Sequence, residues 1–149
     1  MDFEGRLQRA RAGLRKTRLD ALLVTHLPNI RYLCGFTGSA AVLIVTPAQA
    51  MFLTDGRYRT QARDEVEHCR IVISKKALIP TAGEWLATHG GKRVGIEAGH
   101  LTVADRDRLA RAARFARSMN NIGIFNSELS SSRFDTSPSP PGTPAPSCT

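Results

Sequence analysis

The 149-residue sequence predicts an α/β fold, a mixed sheet flanked by helices. Three observations lead there. Short, continuous apolar runs of strand length recur, as in Ala21-Leu22-Leu23-Val24, Ala40–Val45 and Ala50-Met51-Phe52-Leu53. Other segments place apolar residues at helical spacing with charges between them, as do Phe3, Leu7, Ala10 and Leu14. The two patterns alternate along the chain, which is the arrangement of a sheet covered by helices.

Each element has a local reason. Phe3 to Leu14 makes one apolar stripe, so a helix is expected over residues 2–17. Asp20–Thr25 reads as a buried strand, and Pro28-Asn29 as a turn after it. Ala40–Thr46 and Ala50–Leu53, separated by Pro47-Ala48-Gln49, read as a hairpin. Asp55 sits where a helix N-cap belongs, ahead of a helix over about residues 57–66. Arg70–Ser74 is a further strand. Thr81-Ala82-Gly83-Glu84 fits a capping box for a helix carrying Trp85 and Leu86 and stopped by Gly90-Gly91. Arg93–Ile96 is a strand, and Thr102-Val103-Ala104-Asp105 caps a helix bearing Leu109, Ala112, Ala113 and Ala116. The character changes near Ser118: residues 118–149 hold five of the eight prolines and are rich in serine. The chain therefore divides into a folded unit, 1–117, and a Ser/Pro-rich tail, 118–149. Residues 130–149 are expected to be disordered, and Asn121–Phe125 to pack locally.

Composition excludes several function classes. No apolar run approaches the ~18 residues of a membrane span, and Met1–Arg6 lacks the basic start and apolar block of a signal peptide. The cytoplasm is the expected compartment, with no membrane partner. Cys34, Cys69 and Cys148 are odd in number and irregular in spacing, so they form no disulfide framework; Cys34 and Cys69 read as half-buried thiols. The net charge of +8 comes mainly from arginines spread through amphipathic patterns, Arg6 to Arg18 and Arg106 to Arg117. These are solvated helix faces without interleaved aromatic rings, so no nucleic-acid partner is expected.

The chemistry-bearing content gathers in Asn29-Ile30-Arg31-Tyr32-Leu33-Cys34-Gly35-Phe36-Thr37-Gly38-Ser39 and Thr54-Asp55-Gly56-Arg57-Tyr58. Two readings stand side by side. In one, Asn29, Arg31, Tyr32, Thr37, Ser39, Asp55, Arg57 and Tyr58 line a loop surface offering hydrogen bonds and guanidinium forks to an anionic or peptide ligand. In the other, the glycines permit turns, Tyr32 and Phe36 fill core, and Asp55 caps a helix. His26, His68, His89 and His100 are scattered, with no partner at i+4 to start a metal site. No serine lies in a Gly-x-Ser-x-Gly context, and Gly35-Phe36-Thr37-Gly38 lacks the Gly-Lys-Ser/Thr ending of a phosphate loop.

The two segments, in this order and spacing, resemble the N-terminal domain of the creatinase/prolidase/aminopeptidase P family. The likeness takes in Asp20–Val24, the hairpin and Val94-Gly95-Ile96-Glu97, and spans residues 2–117. It implies a ribonuclease H-like α/β domain that is not the catalytic part. In the family a pita-bread catalytic domain follows, where two Asp, one His and two Glu hold two divalent metal ions such as manganese and hydrolyse the bond before proline. The N-terminal domain supports assembly, and its loops cover a neighbouring subunit's active site. Carried over, the loop Gly35–Ser39 presents Thr37 and Ser39 towards a partner's substrate, while Tyr32, Phe36, Asp55, Arg57 and Tyr58 serve interface or structure. No catalytic or metal position transfers, so the chain itself is expected to hold no cofactor.

The expectation is thus a non-catalytic oligomerisation and substrate-gating domain of an Xaa-Pro peptidase-like protein. Its partner would be a second copy or a full-length relative. The abrupt change at Ser118 resembles a truncated or frameshifted product. The alternatives are a stand-alone interaction module and an Arg-driven nucleic-acid binder.

Overall fold

The computed structural model describes residues 1–89, 91–116 and 125–126. Among these residues the element order is α1 (Phe3–Thr17), β1 (Ala21–Val24), α2 (Leu27–Cys34), β2 (Val42–Val45), β3 (Ala50–Asp55), a 3-10 turn (Gly56–Tyr58), α3 (Arg59–Glu65), β4 (Arg70–Ser74), α4 (Leu78–Thr88), β5 (Val94–Ile96), α5 (Val103–Ala116) and β6 (Phe125–Asn126). The strands form one mixed sheet in the order β4-β3-β2-β1-β5-β6. β1, β2 and β3 run antiparallel to their neighbours in the meander, whereas β3–β4, β1–β5 and β5–β6 are parallel. The disorder expected for 130–149 lies outside the described residues, as does the local packing expected for Asn121–Phe125 except at Phe125, which stands in β6 opposite Val94.

The apolar runs are continuous because the sheet is covered on both faces, so both sets of alternating side chains need apolar surroundings. Leu22, Val24, Leu43, Val45 and Phe52 pack with Leu7 and Leu14 of α1, Ile30 and Leu33 of α2, and Ala62 of α3. Ala21, Leu23, Val42, Ile44, Met51 and Leu53 face the other way, against Ala82 and Leu86 of α4 and Leu109 of α5. The register Leu22↔Val45 and Leu43↔Phe52 keeps each set on its own face. A slip of one residue would exchange the two cores.

Chain reversals are held by specific groups. α1 ends at Arg18 in the left-handed region (φ 56), and the Leu19 amide reaches back to the Leu14 carbonyl (2.9 Å). Asp20 accepts from the Lys92 and Arg93 amides (2.9 and 2.8 Å), which ties the entry of β1 to the entry of β5. The hairpin closes through Thr46, whose amide donates to the Gln49 carbonyl and whose hydroxyl oxygen accepts from the Gln49 amide.

The structure departs from the sequence reading at two helix starts. Pro28-Asn29 is not a turn but the first turn of α2, where proline is tolerated because its missing N–H is unused there. α4 begins at Leu78, ahead of Thr81, so there is no capping box. Thr81 instead donates its hydroxyl to the Ala77 carbonyl and meets Ser74 Oγ (2.9 Å), while Glu84 pairs with Lys76. Gly83 serves packing: a Cβ there would lie 2.6 Å from the Leu109 carbonyl oxygen, so α4 and α5 cross closely only because that side chain is absent. By contrast, Thr102 accepts from the Asp105 amide (3.0 Å) at the start of α5.

Candidate functional site

The two polar segments meet at one end of the sheet, on the side covered by α2 and α3. α2 delivers the chain to Gly35, whose φ of +88 turns it out of the helix. A Cβ there would fall 2.9 Å from the Glu65 carbonyl oxygen, so conformation and space both require glycine. Phe36 then turns inward, fully buried, with its ring edge-on to Phe52 (4.7 Å) and Tyr58 (5.5 Å). Gly38 lies against the Phe36 and Tyr58 rings, leaving no room for a side chain. This aromatic anchor fixes the exposed Thr37 and Ser39 on either side.

Thr37 is clamped by α3. Its amide donates to Glu65 Oε2 (2.8 Å) and its hydroxyl donates to Glu65 Oε1 (2.8 Å). Gln61, one turn earlier, donates to both Thr37 Oγ1 (3.0 Å) and Glu65 Oε1 (3.1 Å). Partial burial pushes the Glu65 carboxyl up. The Thr37 amide and hydroxyl, the Gln61 amide and the charge of Arg31 outweigh it, and the net shift is downward. Ser39 Oγ lies 2.6 Å from Tyr58 Oη, and this hydrogen bond holds the phenol below its ordinary range.

Asp55 ends β3 and accepts from the Arg57 amide (2.9 Å), capping the 3-10 turn that leads into α3. The same carboxylate takes a two-pronged contact from the Arg57 guanidinium, Nε at 3.1 Å and Nη2 at 2.8 Å. The Arg57 hydrogen bonds hold Asp55 below the usual carboxylate range. Thr54, buried beside it, donates its hydroxyl to the Ala40 carbonyl (2.6 Å) and joins β3 to the far end of the loop.

The start of the first segment is held from elsewhere. Glu97, just past β5, is buried. Its Oε2 accepts from the Thr25 and His26 amides (both 2.8 Å), and its Oε1 from the Asn29 side chain (2.6 Å). His26, the α2 N-cap, makes no side-chain capping bond of its own. A carboxylate some seventy residues away supplies negative charge at that helix start instead.

Of the predicted site residues, Thr37, Ser39, Phe36, Asp55, Arg57 and Tyr58 come together. Asn29 does not join them, because its amide is committed to Glu97. Tyr32, expected to fill core, is 51% exposed. It carries the Arg6 guanidinium over its ring (4.2 Å), and Arg6 Nη1 also donates to the Tyr32 carbonyl (2.8 Å). Nor are the histidines all apart, since the His26 and His100 rings stack at 3.5 Å. The sequence reading missed Gln61, Glu65 and Glu97 as organisers. The i, i+4 spacing of Gln61 and Glu65 was the available signal for the first two.

Every hydroxyl of the cluster has a partner within it, and no group of three His, Cys, Asp or Glu side chains among the described residues could hold a metal ion. The arrangement presents an anchored loop with the Arg57 guanidinium beside it. No helix among the described residues is long and apolar enough to cross a membrane.

Comparison with known proteins gives the family of this fold. The model of the creatinase/prolidase N-terminal domain matches residues 6–126. The Bacillus subtilis protein named as the uncharacterized peptidase YqhT is 34% identical over 97 residues, covering 65% of this chain and 28% of that protein. The crystal structure of the N-terminal domain of the cytoplasmic peptidase PepQ from Mycobacterium tuberculosis superimposes with a TM-score of 0.69. It is 34% identical, over 72% of this chain and 84% of that one. The Xaa-Pro dipeptidase of Bacillus anthracis matches at 26% identity and a TM-score of 0.68, over 78% of this chain and 32% of that one. The chain thus spans about a quarter to a third of the length of these longer relatives. With the family model covering residues 6–126 and a solved N-terminal domain sharing the architecture, the chain belongs to the creatinase/prolidase N-terminal domain family.

Proposed function

We propose that this chain acts as a non-catalytic assembly and substrate-gating domain of an Xaa-Pro peptidase-like protein. The observation that carries the reading is the Thr37–Ser39 loop tip, exposed yet fixed by Phe36, Glu65 and Tyr58. A segment that must reach into a neighbour's site gains from preorganisation, because little ordering cost remains when it docks. The family match and the name of the Bacillus anthracis relative support the substrate class, peptides with proline after the scissile bond. The family's two divalent metal ions would belong to a catalytic domain that supplies their ligands, and the described residues offer no such set.

Two measurements test this. Purified chain with manganese is expected to leave Xaa-Pro peptides intact; metal-dependent turnover would overturn the non-catalytic role. Light scattering is expected to give a dimer, or a complex with a full-length relative, that Thr37→Arg weakens. A monomer that binds no such partner would overturn the assembly role.

A further inference from the structure

We propose that Cys34 and Cys69 form a redox-active dithiol that closes to a reversible disulfide between the end of α2 and the start of β4. This goes beyond the gating role and does not depend on it.

The fold brings the two cysteines together. The Cys34 carbonyl accepts from the Glu67 amide (3.1 Å), so the chain entering β4 runs against the last residue of α2. His68 then adopts φ 59, a left-handed conformation uncommon for a residue with a side chain, and the next residue turns inward. The Cys69 side chain packs on the core cluster that contains Cys34, Leu33 and Phe36. Both thiols are free, Cys34 buried and Cys69 partly exposed. Cys34 Sγ donates to the Ile30 carbonyl (3.2 Å), and the neighbouring Cys69 side chain, packed on the same cluster, acts on that thiol. That contact, aided by the Phe36 amide and opposed by burial, lowers the Cys34 thiol and raises that of Cys69. The thiolate is the nucleophile, so Cys69 must give its proton to the neighbouring Cys34 sulfur as it reacts.

The oxidant class is a hydroperoxide, and hydrogen peroxide is the simplest member. Cys69, the accessible sulfur, attacks one peroxide oxygen; the O–O bond breaks, Cys69 becomes a sulfenic acid and one water leaves. The Cys34 sulfur then displaces the hydroxyl, the S–S bond forms and a second water leaves. Two thiols lose two electrons and peroxide gains them. A small dithiol reverses the step by exchange. The bond would sit directly before Gly35 and fasten the base of the 35–39 loop to the segment after α3.

The test uses the full chain carrying Cys148→Ser, which removes the remaining thiol. After brief peroxide treatment and alkylation, mass spectrometry of unreduced peptides is expected to find a Cys34–Cys69 cross-link and no alkylated thiol, with both thiols restored by dithiothreitol. Hydrogen exchange at 35–37 and 66–69 is expected to slow in the oxidised form. Separate alkylation of both cysteines, their separate oxidation to sulfinic acids, or a disulfide-linked dimer would overturn the proposal. Glutathione buffers of graded potential applied to the same protein should show both thiols disappearing together. Independent loss of one would overturn it without recourse to a variant that fails to fold. Cys69→Ala, at the more exposed position, is expected to abolish the cross-link.

Discussion

One carboxylate holds each end of the Asn29–Ser39 segment, and the two do different work. Glu97 fixes the beginning from a buried position, accepting from two backbone amides and the Asn29 side chain. Glu65 fixes the end at the surface, accepting from the Thr37 amide and hydroxyl and from Gln61. The bonds are of similar length, but their surroundings differ. Water can replace a lost partner at exposed Thr37, whereas Thr25 and His26 are partly covered and Glu97 itself is buried. The buried carboxylate therefore governs whether α2 is placed at all, and the exposed one governs only how firmly the loop tip is held.

The sharpest way to break this contrast is Glu97→Ala. It leaves two amides and the Asn29 side chain without their acceptor and is expected to cost about 3 kcal/mol, read as a fall in Tm of roughly 10 °C. Glu97→Gln keeps the shape but halves the acceptor capacity, and is expected to cost about half as much. A loss at Glu97→Ala no larger than at Glu65→Ala would end the contrast. Glu65→Ala is expected to cost about 1 kcal/mol or less in denaturant unfolding, with faster hydrogen exchange confined to Thr37 and its neighbours.

Acid sharpens it further. The folded Glu65 carboxyl is held below its unfolded value, so its contribution is present above the ordinary carboxylate range and is lost as pH falls through the lowered value. Protection of the Thr37 amide, taken relative to its intrinsic exchange rate, should fall as pH drops through that lowered value, and Glu65→Gln should remove that dependence; a profile unchanged by the substitution would contradict the clamp. The smallest expected effect is that of Ser39→Ala. It should leave Tm unchanged within error while the Tyr58 phenol, followed by its ring resonances, titrates at higher pH than before.

The strands are legible in the sequence because a sheet covered on both faces demands unbroken apolar runs, and Ala21–Val24 and Ala50–Leu53 are such runs. The site is legible only as a cluster. That Phe36 anchors the loop follows from its being the one large apolar residue between two glycines. Tyr32 has the same apolar bulk one turn earlier, yet it faces out, because α2 is a helix and sets its direction by periodicity. Reading Pro28-Asn29 as a turn hid that helix, and with it the exposure of Tyr32. Glu97 was hidden for another reason: its partners lie in the link between β1 and α2 and in the first turn of α2, and no local pattern announces a contact across so much chain. The Thr81 error is one of competition. A Thr-x-x-Glu pattern marks a helix start only when the preceding residues do not already continue the helix, and Leu78–Pro80 do.

The pairing of β1 with β5 has a consequence for how the molecule assembles. β1 lies inside the sheet, yet its second neighbour arrives late in the chain: Asp20 and Arg93, which join the two strands, are 73 positions apart. The meander of β1, β2 and β3 can zip from the hairpin outward, but one edge of β1 stays open until α4 has been made and β5 docks. That long closure is slow by the standards of local contacts. During synthesis, Ala21–Val24 is therefore an exposed apolar template, and the late arrival of Val94–Ile96 is the step that takes it out of reach of other chains.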